Sequence, residues 1–347
     1  MAMANSTAIL RTGHEDLIHD VEYDFYGRRL ATCSSDQRIK VFDMQGDSGE
    51  WEENDTWKAH DANIVKVIWA HPEHGQIIAS CSVDRSVRVF EEQDSEALRS
   101  GKRWAEKARL VESLGAIHAI AFAPNHLGLK LASVSSDATV RVYEAMLPQN
   151  LSQWTLIEDF QVLPAPPPRE TEAAFCVSWC PSRFGPSQLV VGAMETVKIY
   201  RPNAAGKWKP TESLDGHKGI VRDIAWAPSA GRSYHLIATA CKDGHLRIFK
   251  LVEAKSASLI RRDSNFDVNE DERDGEHPHA LSVECIADFD DHQAEVWKVS
   301  WNVTGTLLNS SGDDGKVRLW KPTYAGKFQC MSVINAERPR DEDAIED

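Results

Sequence analysis

The chain has 347 residues and a formal net charge of −14, and it carries no basic stripe of the kind that neutralises nucleic-acid phosphates. No run of 18 apolar residues occurs, so the sequence predicts neither a transmembrane helix nor direct membrane insertion. Its seven cysteines are irregularly spaced, which argues against a disulfide framework and indicates buried strand residues in a cytosolic or nuclear protein.

The first predicted element is a short strand that precedes His14. It consists of five residues of the N-terminal segment 1–13, namely Thr7, Ala8, Ile9, Leu10 and Arg11. The segment before them has no basic start ahead of its apolar residues, so we do not expect a signal peptide.

Six repeats follow, each with a turn aspartate and an aromatic residue six positions later, although Met194 takes the aspartate position in the fourth. The pairs are Asp36 and Phe42, Asp84 and Phe90, Asp137 and Tyr143, Met194 and Tyr200, Asp243 and Phe249, and Asp314 and Trp320. Each repeat contains three stretches of alternating or small apolar residues, which predict three strands. Because one small sheet cannot bury its faces alone, the repeats should stack into one all-β body over residues 14–334.

An outer fourth strand is predicted after each aspartate–aromatic hairpin. The candidates are residues 51–59, 104–114, 154–162, 208–214, 281–289 and 327–334. This count gives six complete four-stranded units and leaves residues 7–11 as one outer strand without three inner strands. The sequence therefore predicts an open ring, with a partner supplying three strands by β-augmentation, because exposed sheet edges are normally covered. A six-unit ring closed by overlap of its two ends is the alternative.

The repeats resemble the WD-repeat β-propeller family, whose blades are four-stranded sheets. The resemblance implies a hydrogen-bonded structural tetrad, which is complete only in the last repeat as His292, Ser310, Asp314 and Trp320. Elsewhere Phe or Tyr replaces Trp, and repeat four has Glu170, Val190 and Met194 at the other three positions. A residue type that recurs in every blade has the same structural task each time, so we expect no catalytic residues.

Three further motifs give no enzyme or metal prediction. Residues 267–272 imitate a calcium loop, but Glu272 stands where the bend needs glycine, and Cys176 and Cys180 lack further ligands. No phosphate-binding glycine loop, nucleophile elbow or zinc-protease motif occurs, so no cofactor is expected. Residues 165–168, Ala-Pro-Pro-Pro, suit a stiff connector better than a polyproline ligand.

Two acidic segments carry most of the net charge. Residues 263–276 contain seven acids and one base, and residues 337–347 contain six acids and two bases. Such compositions predict a solvated insert over about residues 255–279 and an acidic disordered tail over residues 335–347.

Longer runs resemble the SEC-homologue nucleoporins. They cover residues 14–21, 27–36, 69–73, 150–154 and 310–321. The resemblance implies a scaffold subunit of the Y-shaped nuclear pore complex, an open six-bladed ring, and an α-solenoid nucleoporin that donates a three-stranded blade. It also implies contacts with other subunits of the Y-shaped complex at the nuclear envelope. A second role is implied in a vacuolar or lysosomal coat-like complex that regulates TOR signalling. The alternatives are the sister propeller of the ER-export vesicle coat and a motif-binding adaptor propeller.

Overall fold

In the computed structural model, all 24 strands of the described chain belong to six four-stranded antiparallel sheets, here called blades 1 to 6. The structure describes residues 10–46, 49–147, 150–168, 170–229, 231–253 and 281–335. Within those residues there is no α-helix, and the only helical turns are two 3-10 turns, Pro72–His74 and Asn125–Leu127. The chain divides into two compact units, Met1–Glu172 and Ala173–Asp347, which are described separately below.

Unit 1 contains blades 1 to 3, and each blade takes four strands that follow one another in the chain. The strands of blade 1 are β1 (Ile18–Tyr23), β2 (Arg29–Ser34), β3 (Arg38–Gln45) and β4 (Glu50–Lys58). Those of blade 2 are β5 (Ile64–Trp69), β6 (Ile77–Ser82), β7 (Val87–Glu92) and β8 (Trp104–Leu110). Those of blade 3 are β9 (Ile117–Phe122), β10 (Lys130–Ser135), β11 (Thr139–Leu147) and β12 (Asn150–Gln161).

Unit 2 contains blades 4 to 6 with the same strand order. The strands of blade 4 are β13 (Phe175–Trp179), β14 (Leu189–Ala193), β15 (Thr196–Pro202) and β16 (Trp208–Ser213). Those of blade 5 are β17 (Val221–Trp226), β18 (His235–Cys241), β19 (Leu246–Glu253) and β20 (Leu281–Phe289). Those of blade 6 are β21 (Val296–Trp301), β22 (Leu308–Gly312), β23 (Lys316–Pro322) and β24 (Phe328–Asn335).

The predicted all-β class with six four-stranded blades is confirmed. Each predicted outer strand is present, and β20 has the predicted bounds. The largest differences are four residues: β8 ends at Leu110 where the prediction ran to residue 114, and β12 begins at Asn150 where the prediction began at residue 154. Outer strands were predictable because a hairpin turn precedes each of them and a bulky Trp, Leu or Phe is their first or second residue.

Neighbouring blades of one unit pack face to face through apolar side chains of alternating strand positions. In unit 1, Ala31 and Val41 of blade 1 share a buried cluster with Ile78 and Phe90 of blade 2. In unit 2, the side chains of blade 5 meet Trp320 of blade 6 in a similar cluster. The face that carries the third-strand aromatic residue therefore packs on the preceding blade, and this burial is the main source of stability for each unit.

The turn of blade 4 is one residue shorter than the sequence alignment implied. Leu189 lies opposite Tyr200 in this hairpin, whereas the equivalent residues of blade 1, Leu30 and Phe42, lie one residue further apart in the chain. Met194 has a φ of 58° and begins a two-residue turn, so it does not replace an aspartate in an otherwise equal turn. The earlier alignment of Met194 with the turn aspartates is therefore wrong, because counting from the aromatic residue alone hides a deletion.

Several sequence predictions fall partly or wholly outside the described residues. Thr7, Ala8 and Ile9 lie outside them, whereas Leu10 and Arg11 are described and belong to no strand. The acidic insert and most of the acidic tail also lie outside, because residues 254–280 and 336–347 are not described. The single body over residues 14–334 and the unpaired N-terminal strand stay predictions.

Candidate partner-binding site and the turn networks beside it

The four tetrad residues of blade 6 are brought together by the structure. His292 Nδ1 lies 3.0 Å from Asp314 Oδ1, and His292 Nε2 lies 2.8 Å from Ser310 Oγ. Trp320 Nε1 donates to the same Ser310 oxygen at 2.9 Å. Because the indole nitrogen can only donate, Ser310 accepts from Trp320 and its hydroxyl proton is left for the imidazole. The network satisfies polar groups that would otherwise be buried without partners.

Blades 1 and 2 contain the same network without the indole. The histidine-to-aspartate distances are 2.7 Å for His14 with Asp36 and 2.9 Å for His60 with Asp84. Both histidines also contact the second-strand hydroxyl at 2.8 Å, from Thr32 and Ser80 respectively. Burial by itself would raise the pKa of Asp36, but hydrogen bonds from His14 and the backbone lower it overall.

Blade 5 has a histidine but distributes its contacts differently. His217 Nε2 lies 2.9 Å from Thr239 Oγ1, while Asp243 pairs with Arg247 at 2.8 Å. Burial lowers the pKa of His217 to about 4, and the nearby Arg247 charge acts in the same direction. Burial opposes ionisation of Asp243 as well, yet its bonds with Arg247 and the backbone bring its pKa down to about 2.

Sequence reasoning missed a cation four residues after the turn aspartate. The six residues are Lys40, Arg88, Arg141, Lys198, Arg247 and Arg318, with Lys198 following Met194. Arg141 pairs with Asp137 at 2.8 Å in blade 3, which has no histidine at the tetrad position, and Arg247 is only 2% exposed. The spacing Asp-x-x-x-Arg was visible in the sequence. In blades 2, 3, 5 and 6 it forms an aspartate–arginine pair, here called the turn clamp, which recurs and is therefore not a single active site.

The innermost strand of blade 1 exposes apolar side chains on a face that the other blades of unit 1 bury, although Leu30 and Phe42 on the same face are only 5% and 3% exposed. Val21 and Tyr23 on β1 are 42% and 57% exposed, whereas the corresponding Val67 of blade 2 and Ile120 of blade 3 are both 0% exposed. In blades 2 and 3 the same face packs on the preceding blade of unit 1. An apolar sheet face of this kind is a candidate surface for another protein.

The N-terminal residues approach blade 1 on this same face. Val21, Thr32 and Lys40 lie opposite one another in the strand register, and Lys40 Nζ donates to Gly13 O at 2.9 Å. His14 is held by Thr32 and Asp36 as described above. The chain therefore enters blade 1 on the face that carries Val21 and Tyr23. Of the predicted orphan-strand residues, Leu10 is half-buried and Arg11 is exposed.

Blade 6 exposes the opposite kind of face, the one that packs on a following blade. In blade 1 the four residues on this face are fully buried, namely Ala31, Cys33, Ile39 and Val41. Their equivalents in blade 6 are Asn309, Ser311, Val317 and Leu319, in the same order. In blade 6, Asn309 is exposed, Val317 is 38% exposed, and the other two are half-buried. The sequence did contain a signal for this exposure, because polar Asn309 and Ser311 replace the Ala and Cys of blade 1. Counting repeats does not reveal it.

The described residues contain neither a cluster of metal ligands nor a membrane-spanning helix. No group of three or more His, Cys, Asp or Glu side chains in the described ranges is placed to hold a metal ion. Over the same ranges, no helix has the length and apolar character needed to span a membrane.

The blade architecture and its turn networks place the chain in the class of WD-repeat β-propellers. The family model of the WD domain, G-beta repeat, matches residues 6–43, 51–91, 208–250 and 283–321. Those residues include most of the three inner strands of blades 1, 2, 5 and 6, which are the blades with the tetrad histidine. Blade 3 has no histidine at the tetrad position, and blade 4 has the shortened turn.

Three relatives narrow this class further. Nucleoporin SEH1 of Saccharomyces cerevisiae is 49% identical over 94% of this chain and 99% of the relative. Nucleoporin seh1 of Schizosaccharomyces pombe is 47% identical over 96% and 97%, and Nucleoporin SEH1 of Homo sapiens is 40% identical over 92% and 86%. The chain belongs to the SEH1 nucleoporin family, whose members are structural WD-repeat proteins and not enzymes.

Proposed function

We propose that the chain is a non-enzymatic scaffold subunit of the nuclear pore complex at the nuclear envelope, within its Y-shaped coat. Family membership supports the pore assignment, because relatives named nucleoporins match almost the whole chain. The single structural observation that carries the scaffold role is the exposed face of blade 1, with Val21 and Tyr23 turned to solvent. A stable subunit surface of this kind is expected to be covered in its assembly.

The partner in this proposal is an α-solenoid nucleoporin that donates a three-stranded blade. The donated blade packs on the exposed face of blade 1, and residues 7–11 pair with it as the fourth, outer strand. This arrangement follows from the strand count, and the hydrogen bond between Lys40 and Gly13 supports it by directing the N-terminal segment to that face. Backbone pairing then supplies affinity, while side-chain contacts with the exposed Val21 and Tyr23 supply specificity.

A second assembly belongs to the same proposal. The surface that accepts the donated blade in the pore also serves a vacuolar or lysosomal coat-like complex that regulates TOR signalling. One surface cannot accept two donors at once, so each molecule of the chain belongs to one complex at a time.

Affinity purification from native extract tests the proposal. The tagged wild-type chain should recover pore scaffold subunits, including an α-solenoid nucleoporin, together with subunits of the vacuolar complex. Tyr23→Asp should lose both sets, because a charge would be buried against the donated blade. Tyr324→Asp is the matched control, since Tyr324 is fully exposed on blade 6, and it should recover both sets.

Two outcomes would contradict the proposal. Recovery of ER-export vesicle-coat subunits alone would favour the sister propeller. Equal recovery by Tyr23→Asp and wild type would show that the blade 1 face is not the acceptor surface.

A further inference from the structure

The connection between β12 and β13 is unusually long. It contains the thirteen residues 162–174, whereas the other connections from an outer strand to the next inner strand contain five to seven. Those shorter connections comprise residues 59–63, 111–116, 214–220 and 290–295, and none of them contains a proline. A segment that only joined β12 to β13 would need neither the length nor the prolines of residues 162–174.

The proline-rich part of this connection is available to solvent. Pro164, Ala165, Pro166 and Pro168 are exposed, and Pro167 is half-buried. None of these residues belongs to a strand. In the described chain, the only hydrogen bond that residues 164–168 make is from Thr171 N to Pro168 O, at 3.0 Å. The carbonyl oxygens of residues 164–167 are thus free to accept hydrogen bonds from another molecule.

Such a segment is pre-organised for one mode of recognition. Each proline ring holds φ near −65°, so a run of prolines favours the polyproline II helix, which has three residues per turn and no internal hydrogen bonds. Little conformational entropy is then lost on binding. Domains that read this helix use aromatic-lined grooves, and they recognise prolines spaced as Pro-x-x-Pro. Pro164 and Pro167 have that spacing.

We propose that residues 163–168 are a docking segment for a partner domain of the SH3 type. The two X-Pro dipeptides, Leu163-Pro164 and Pro166-Pro167, occupy neighbouring aromatic pockets of that domain, and the free carbonyl oxygens accept from its groove side chains. The partially buried ring of Pro167 turns outward as it binds. This activity is separate from the blade 1 face and does not depend on the proposed pore role.

A binding array with the full-length chain tests this inference. The labelled wild-type chain is applied to an array of the SH3 domains of Saccharomyces cerevisiae, and every signal is followed by titration in solution. We expect at least one domain to bind saturably, with a Kd in the micromolar range. Pro164→Ala/Pro167→Ala should weaken that binding at least about tenfold. Pro186→Ala, which changes a loop proline outside any proline run, should leave it unchanged.

Folding and specificity are controlled by two additional measurements. The three proteins should show the same melting temperature, so that lost binding is not lost structure. A synthetic peptide of residues 160–171 should compete for the same domains. Absence of saturable binding across the array, unchanged binding by the double variant, or failure of the peptide to compete would each overturn the inference.

Discussion

Ser310 is the residue on which the blade 6 tetrad depends. Its hydroxyl contacts both His292 and Trp320, and the side chain is 1% exposed. Loss of this hydroxyl would leave an indole N–H and an imidazole nitrogen buried without a partner. Each such group costs about 1–3 kcal/mol, which exceeds the net gain of an ordinary hydrogen bond.

Ser310→Ala is therefore expected to lower the free energy of unfolding by about 2 kcal/mol. Ser332→Ala on β24 is the matched control, because Ser332 is half-buried and lies outside the tetrad, and it should change stability by less than about 0.5 kcal/mol. Urea denaturation followed by tryptophan fluorescence measures both. Equal effects of the two substitutions would show that the tetrad adds nothing to stability.

His217 gives the protein a defined pH dependence. Burial lowers its pKa to about 4, whereas a histidine in the unfolded chain titrates near 6.5. As the pH falls from about 6.5 towards 4, the unfolded state therefore binds a proton that the folded state does not, and stability decreases. The carboxyl of Asp243 acts in a different window, below its unfolded pKa of about 4, because its pKa in the fold is about 2.

We expect His217→Gln to reduce the loss of melting temperature between pH 6.5 and pH 4.5. The exposed His126 provides the control, since His126→Gln should keep the pH dependence of the wild-type chain. Melting curves in a series of buffers at constant ionic strength measure the effect. The same slope for His217→Gln and wild type would contradict it.

At the level of strands and turns, periodicity in the sequence predicted the strands and the blades, because these depend on local residue pattern. Alternating residues such as Val67 and Trp69 reveal a strand whose one face is buried, and the blades follow from their repetition. The shortened turn at Met194 was not predictable in this way, because a one-residue deletion leaves the flanking strands unchanged. It appears only in the register, where Leu189 faces Tyr200.

The turn clamp likewise needed the structure, although its spacing is present in the sequence. A cation on a strand is ordinarily a solvated side chain, and only the fold shows that Arg247 is 2% exposed beside Asp243 and Asp288. Breaking a buried ion pair by removing one member leaves the other charge uncompensated.

Arg247→Ala should therefore lower the free energy of unfolding by about 3 kcal/mol. Lys198 offers a matched control, because it occupies the same position in blade 4, where no aspartate faces it, and is half-buried. Lys198→Ala should cost less than about 1 kcal/mol. Chemical denaturation of the two variants measures the difference, and similar losses would show that the aspartate–arginine pair does not clamp the turn.

For the whole molecule, the sequence predicted six blades and an N-terminal strand beyond them. The blades are present. The strand count also predicted an open ring with a partner that supplies three strands, but only the structure identifies which side chains are exposed. Val21 has the same residue type as the buried Val67, and Tyr23 is aromatic like the half-buried Trp69 and Phe122, so residue type alone does not show that Val21 and Tyr23 face solvent. Burial at a blade face depends on the neighbouring blade, which is a property of the assembled chain.

The central claim is that residues 1–13 and the blade 1 face accept a blade from an α-solenoid nucleoporin. The most direct test is the affinity of this complex for three forms of the chain: wild type, a deletion of residues 1–13, and a deletion of residues 337–347. We predict that the N-terminal deletion weakens binding at least about tenfold and removes the rise in melting temperature that the partner produces, because ligand binding stabilises the folded state. The C-terminal deletion should bind as wild type does. Equal affinities for all three forms, or a wild-type melting temperature that the partner leaves unchanged, would contradict the claim.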